Sequence, residues 1–191
     1  MPELVENTSL LIKAIKFSAI RHRNQRRKDA SATAYINHPI KVMELLWFVG
    51  EIRDSDVLIA ALLHDTVEDT VKPTSLEEAS LKNEIADLFG VNVLSMVMEV
   101  TDDKTKEDKL RKQLQIEHAV RLSTGAKLIK LADKICNIED IIDNPPVFWS
   151  RSRKNGYLTW AEKVAVGLRG VNPALERRFD EAIRNGRQKL S

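Results

Sequence analysis

The chain has 191 residues, 43% hydrophobic and 30% charged, with a net charge of +2 and a single cysteine, Cys136. That length suits one compact domain, residues 1–191, with a full core. The near-neutral charge and low aromatic content (5%) argue against a nucleic-acid-binding surface, no apolar run nears the roughly 20 residues of a membrane span, and one cysteine excludes an internal disulfide framework.

Scarce glycine and proline, seven and six residues, favour long helices over a turn-rich β fold. The absence of a signal-peptide pattern points to a soluble, cytoplasmic protein. In chain order, a first helix is expected from Asn7 to Arg26, with Leu11, Ile15 and Ala19 on one stripe. A loop comes next over Asp29–Asn37. Pro39 suits the first residue of the next helix, which places His38 just before it, and Gly50 ends that helix. Asp54 or Ser55 caps a third helix whose body, Val57–Leu63, is apolar on every side and therefore central. Thr74 with Glu77 and Ser75 with Glu78 form overlapping capping boxes for a helix that stops at Gly90. Further helices are expected over Asn92–Val100, Lys106–Leu122, Ala126–Ile142 and Pro146–Gly170. A last one is capped by Asn172, starts at Pro173 and ends by Gly186. The whole reads as an all-α, compact multi-helix bundle.

Three stretches carry chemistry. In Leu63-His64-Asp65-Thr66-Val67-Glu68-Asp69, four ionisable groups come directly after the apolar run. Buried carboxylates cost several kcal/mol unless a metal or other partners compensate. On one continuous helix His64 stands above Glu68 and Asp65 above Asp69. Hydrated acids at a helix end are the plainer reading, but acids at a helix C-terminus oppose the macrodipole. The second stretch, Lys127–Asn137, has a buried stripe at Leu128, Leu131, Ile135, Ile138 and Ile142, with Lys130, Asp133 and Asn137 sharing a face beside it. Alone, Asp133 reads as a surface residue paired with Lys130 or Lys134. The third is Tyr35-Ile36-Asn37-His38-Pro39, where His38 alone reads as a cap or a core histidine. Together, His38, His64, Asp65 and Asp133 make a mixed nitrogen–oxygen ligand set. Such a set suits Mn(II), Fe(II) or another six-coordinate ion better than structural zinc.

Arg21–Lys28 holds five basic residues in eight. Arg21, Arg23 and Arg26 read as a solvated helix face. His22 and His118 read as surface or packing residues, Cys136 as a small buried hydrophobe, and Asp102 and Asp103 as caps of the next helix. Tyr157 and Trp160, three apart, are compatible with core positions.

The order His38, His64-Asp65, Asp133 resembles the HD-domain phosphohydrolases. Arg27-Lys28, Tyr35–Pro39, Leu62–Thr70, Val100–Thr105 and Lys130–Lys134 with Asn137 resemble more closely the hydrolase domain of the RelA/SpoT homologues. They are most similar to its stand-alone small alarmone hydrolases of the metazoan SpoT homologue type, over about Leu10 to Gly170. The resemblance implies Mn2+-dependent removal of the 3′-pyrophosphate of guanosine tetra- or pentaphosphate (ppGpp, pppGpp), which ends the stringent-response signal. It implies His38, His64, Asp65 and Asp133 as metal ligands. Glu68 and Asp69 would handle the attacking water and the leaving group. Arg27 and Lys28 would hold the guanine and a nearby phosphate, and Asn137 and Tyr157 would contact the nucleoside. Two departures stand out: Ala34 replaces a proline common before the tyrosine, and the Asp29–Thr33 loop lacks the usual glycine.

The alternatives are a phosphatase acting on another nucleotide such as NADPH, and a catalytically silent nucleotide-sensing module. The latter predicts a missing ligand or acid, and none is missing. Little chain lies beyond Gly170, so hydrolysis without synthesis is expected. The partner expected is the guanine nucleotide, with no nucleic acid or membrane, and the sequence gives no pointer to oligomeric state.

Overall fold

The computed structural model describes residues 2–191. Its elements are α1 (Pro2–Arg21), α2 (Asn37–Phe48), α3 (Ser55–Leu63), α4 (Thr66–Thr70), α5 (Leu76–Phe89), α6 (Val91–Val100), α7 (Asp108–His118), a 3₁₀ turn (Ala119–Arg121), α8 (Thr124–Asp143), α9 (Arg151–Val166) and α10 (Pro173–Lys189). Among the described residues the only β pairing is an isolated bridge between Arg26 and Ala34. The fold is an all-α bundle, and no described helix is long and apolar enough to cross a membrane.

Helix α3 is the axis of the bundle because Val57–Leu63 has no polar side to show to water, and all seven residues are buried. It packs against α1, α2, α6 and α8. Helix α8 is the second buried element. Beyond its expected stripe, Ile129, Ala132, Cys136 and Ile141 are also buried, because α2, α6, α9 and α10 cover it from several directions. The carboxylates and lysines of α8 are therefore presented from a rigid, almost fully covered rod.

Capping chemistry set several boundaries. The Asp54 side chain accepts from the Asp56 and Val57 amides, and Asn172 accepts from Ala174 and Leu175 at 3.1 and 3.0 Å. Of the two overlapping capping boxes, Ser75 takes the cap position, accepting from the Glu78 amide at 3.1 Å, while Thr74 turns away at φ 60°.

Other boundaries differ from the sequence reading. Helix α1 spans Pro2–Arg21 rather than Asn7–Arg26. Residues 22–36 leave the helix because Arg27 donates to the Thr33 carbonyl (2.8 Å) and Tyr35 to that of Gln25 (3.2 Å), bonds that α1 could not offer. In this arm, within the loop that lacks a glycine, Ala32 adopts φ 47°. The strain of a Cβ there, about 1 kcal/mol, is held by Asp29, whose carboxylate accepts from both the amide and hydroxyl of Thr33. Helix α2 begins at Asn37, so His38 lies inside its first turn rather than before it. Asp102 and Asp103 do not cap α7: Asp103 accepts from Thr105, and the α7 cap position is Glu107. The stretch 144–150 is not helical, and Ser150 caps α9 by accepting from Arg153.

Two glycines mark close approaches rather than helix ends alone. Gly186 lies inside α10, where an added Cβ would sit 2.5 Å from Leu158 Cδ2. Gly167 closes α9, and a Cβ there would meet Ala119 Cβ and the Val120 backbone nitrogen, both at 2.7 Å. Backbone cannot swing aside as a side chain can. Gly167→Ala is therefore expected to destabilise the protein by about 1–3 kcal/mol, read as a lowered Tm. An unchanged Tm would show that α9 and the 3₁₀ turn are not locked together.

Candidate active site

The site begins at a break in the central helix. Helix α3 ends at Leu63, His64 and Asp65 continue with right-handed dihedrals, and α4 restarts at Thr66. The expectation of one continuous helix through Asp69 is thus corrected. Asp69 still lies one turn beyond Asp65, donating its amide to the Asp65 carbonyl at 2.9 Å. The restart also reverses the electrostatic setting of the acids. Glu68 and Asp69 occupy the first turn of α4, so the macrodipole objection that a helix C-terminus would raise does not apply.

The break turns His64 Nε2 and Asp65 Oδ2 towards a common point, 3.0 Å apart. From α2 and α8, His38 Nε2 and Asp133 Oδ1 meet at 3.0 Å. The two pairs are 3.8 Å apart, both from His38 to Asp65 and from His64 to Asp133. Ligand atoms of His38, His64 and Asp65 all lie within 4.8 Å of one another. Neighbouring ligands of a six-coordinate ion with bonds of about 2.1 Å stand roughly 3 Å apart, so the spacing suits a divalent cation.

Protonation chemistry supports the same conclusion. His64 Nδ1 lies 2.8 Å from the Ala61 carbonyl and donates to it, which in the neutral ring leaves the Nε2 lone pair aimed at carboxylates. Three or more acceptors converging in a buried space require a positive charge. A divalent cation satisfies all of them, and a proton on His64 satisfies some. Burial alone would discharge His64, yet Asp65 and Asp133 raise its pKa well above the ordinary value. Burial opposes ionisation of Asp65 and Asp133 too, but His64 holds the first below the usual carboxylate range, and Lys134 with His38 holds the second well below it. Burial keeps His38 below its ordinary pKa and so neutral at pH 7.

Around the four lies a supporting layer. The Tyr35 hydroxyl donates to Asp65 Oδ2 at 2.6 Å, and Lys134 Nζ stands 3.0 Å from Asp133 Oδ2. Asn137 donates to Asp133 Oδ1 at 2.5 Å, as the shared face on α8 predicts. Glu68 Oε2 accepts from the Asp102 amide at 2.9 Å. Burial, and then the negative charge of Asp65, push the Glu68 carboxyl up to about 7. Asp69 accepts from Gln25 Nε2 at 2.7 Å and is ion-paired with Lys104.

A cavity of about 500 Å³ opens beside this centre, with Arg27, Lys28, Asn137, Trp149 and Tyr157 in its wall. Arg27 Nη2 donates to Asn137 Oδ1 (2.9 Å) and Asp140 Oδ2 (2.7 Å), with the guanidinium 5.5 Å above the Tyr35 ring. Lys28 is exposed at the rim, its carbonyl accepting from the Val147 amide at 2.9 Å. Tyr157 packs between Trp149 and Trp160, at 5.9 and 5.2 Å. A second cavity of about 320 Å³ shares Lys28, Tyr35, Asn137 and Tyr157 with the first and holds Glu68, Lys130 and Lys134.

Several members were not singled out from the sequence. Tyr35, three residues before His38, carried the signal, since that spacing can bring a hydroxyl to the same centre. Asp140, three beyond Asn137, carried it as well. Gln25 and Trp149 carried none, because only the folding-back of 22–36 and 144–150 brings them here. Of the residues read as bland, Cys136 is buried and His118 exposed, as expected. His22 is buried, bonded to Gln25 and packed 5.0 Å from the Tyr35 ring. Arg21 is ion-paired with Glu84 rather than merely solvated.

Comparison with known proteins identifies the family to which the chain belongs. The family model described as HD domain matches residues 14–161. The guanosine-3′,5′-bis(diphosphate) 3′-pyrophosphohydrolase MESH1 of Drosophila melanogaster is 46% identical over 173 residues, covering 91% of this chain and 92% of that protein. The Homo sapiens MESH1 is 49% identical over 166 residues, covering 87% and 88%. A solved structure described as a metazoan ortholog of SpoT that hydrolyzes ppGpp and plays a role in starvation responses superposes with a TM-score of 0.85 at 44% identity, covering 95% of this chain and 97% of that one. The chain therefore belongs to the HD-domain family, in the group of relatives that contains the MESH1 proteins.

Proposed function

We propose that the protein is a guanosine-3′,5′-bis(diphosphate) 3′-pyrophosphohydrolase, converting ppGpp or pppGpp and water to GDP or GTP and pyrophosphate. The observation that carries this reading is the convergence of His38, His64, Asp65 and Asp133 beside a carboxyl poised near neutrality, next to a cavity of about 500 Å³ with a guanidinium and aromatic rings in its wall. That volume lies in the range of small-molecule sites. The high identity to the MESH1 proteins over nearly their full length supports the same substrate class.

The four residues would hold one divalent ion, Mn2+ by family resemblance. When bound, such an ion lowers the pKa of water and neutralises phosphate charge. The remaining chemistry belongs to the chain. Glu68 faces the smaller cavity and Asp69 the larger. In an in-line displacement the nucleophile and leaving group stand on opposite sides of phosphorus. Glu68 then takes the proton of the attacking water, while Asp69, held by Gln25 and Lys104, sits on the ribose side where the 3′-oxygen leaves. Arg27, braced by Asp140, presents a flat guanidinium to the base or a phosphate. Asn137 and Tyr157 line the nucleoside space, and Lys28 sits at its mouth.

The direct test incubates the protein with ppGpp and Mn(II) and tracks GDP and pyrophosphate. Release of both is expected, and the same assay on NADPH ranks that substrate. No turnover of ppGpp would overturn the reading. Glu68→Gln should lower kcat by about 10²–10⁴-fold. A base works only when ionised, so the wild-type rate should climb through the pKa of Glu68, about 7 in the metal-free protein and lower once a cation offsets Asp65, and level about one pH unit above it; the variant should lose that limb. Metal binding to the folded state alone raises stability by about 2.7 kcal/mol at 100 times Kd. Titrating Mn(II) should therefore raise Tm, and His64→Ala should abolish the rise. Turnover insensitive to a chelator would sink the metal assignment.

A further inference from the structure

The smaller cavity carries two ammonium groups, and the chemistry above has a use for only one of them, Lys134, which sits on Asp133. Lys130 and Lys134 are 8% and 4% exposed. An ammonium is taken out of water only at a cost of several kcal/mol per ion unless partners restore what it loses. Lys134 has such partners, Asp133 at 3.0 Å and the Trp160 ring at 4.6 Å. Lys130 does not. Among the described residues its Nζ donates one hydrogen bond, to the Val100 carbonyl at 3.1 Å, and the one carboxylate oxygen in reach, Asp102 Oδ1, stands at 4.0 Å. Three donors with one bond made leave two directed elsewhere.

Lys130 also lies in the wall of a neighbouring cavity of about 310 Å³, which it shares with Asp102 and Gln115. There, among the described residues, the Nε of Arg111 is a buried donor without a hydrogen-bond partner, while its Nη2 pairs with Asp108 at 3.2 Å and its Nη1 stands 3.9 Å from Asp102. A buried, under-bonded ammonium thus stands between the histidine–aspartate centre and a second cation. That is the arrangement required by an anion with charge at two points, one end at the centre and the other farther out.

We propose that Lys130, with Lys134 on the inner side and Arg111 on the outer, forms a pyrophosphate subsite that receives the two phosphates transferred to water. The nucleoside lies on the opposite, Arg27 side. This rests on the hydrolase reading and gives the substrate a direction across the site. In the reaction a bond forms between the water oxygen and the proximal phosphorus, the bond from that phosphorus to the ribose 3′-oxygen breaks, one water proton passes to Glu68, the 3′-oxygen takes a proton from solvent, and Glu68 then returns its own to solvent. The pyrophosphate left behind is held by Lys130 and its neighbours until release.

The test is equilibrium binding of inorganic pyrophosphate and, separately, GDP to the Mn(II)-loaded full chain. Lys130→Met keeps the length of the side chain and removes the charge. It should weaken pyrophosphate by about tenfold or more, the worth of a charge-assisted bond, and leave GDP within about threefold. Arg27→Met should do the reverse. Arg111→Gln, at a less buried position, repeats the measurement if Lys130→Met does not fold, with the same loss expected for pyrophosphate alone. Unchanged pyrophosphate affinity, or equal losses for both ligands, would overturn the subsite. Turnover of ppGpp is measured alongside. Pyrophosphate selectivity without turnover would sink the hydrolase reading and leave the subsite standing, whereas turnover with no selective loss would sink the subsite alone.

Discussion

Two imidazoles and two carboxylates, brought together from α2, the α3–α4 junction and α8, face a single point inside the protein. Carboxylates remain ionised in such a place only if positive charge is nearby. Much of the surrounding architecture answers that requirement. Lys134 sits on Asp133, the Tyr35 hydroxyl donates to Asp65, and Asn137 donates to Asp133. Tyr35 and Asn137 bond the very oxygens, Asp65 Oδ2 and Asp133 Oδ1, that face the two histidines, and Lys134 takes the other oxygen of Asp133. The second layer extends outward in the same way, with His22 bonded to Gln25, and Gln25 to Asp69. Supporting bonds of this kind orient ligands and tune their basicity.

The apolar run Val57–Leu63 explains why the centre can be placed so firmly. A helix without a polar face has no orientation in which it prefers the surface, so it is driven to the middle and draws the residues at its C-terminal end into the interior. Those residues are His64 and Asp65. A continuous helix would have pointed them along different directions, about 100° apart by helical geometry. The interruption before Thr66 aims both at one point. The same interruption gives Glu68 and Asp69 separate surroundings, one beneath the Asp102 amide and one beside Gln25 and Lys104. Two adjacent acids thereby face different cavities.

Much of this was legible in the sequence. The all-α class, the central position of α3, the caps at Asp54 and Asn172 and the buried stripe of α8 come from periodicity and capping chemistry, which are local. The gathering of His38, His64, Asp65 and Asp133 was legible in their order along the chain, because that order matches a family. Less legible were features set by distant contacts. Nothing in Arg21–Lys28 announces that the helix stops at Arg21, since the competing hydrogen bonds come from Thr33 and Tyr35. Nothing near Lys130 announces that α8 is covered nearly all round, so a lysine that looks exposed on a helical wheel is buried. Trp149 likewise reaches the cavity only through the backbone bond between Val147 and Lys28.

That last bond joins two irregular segments, 22–36 and 144–150, and together they supply much of the wall of the larger cavity. Neither segment supplies one of the four central residues, which come from α2, the α3–α4 junction and α8, but 22–36 reaches the centre through Tyr35 on Asp65 and Gln25 on Asp69. The molecule is therefore built in two grades of tolerance. Helical positions around the centre accept little change, because interiors are packed to crystal density. Loops accept changes of length and residue, as Ala32 already shows by standing in a left-handed position without glycine. Two residues of the first loop, Tyr35 and Gln25, are the exception, since each holds a carboxylate of the α3–α4 junction. Change in these loops is thus free around those two positions and coupled to the centre at them.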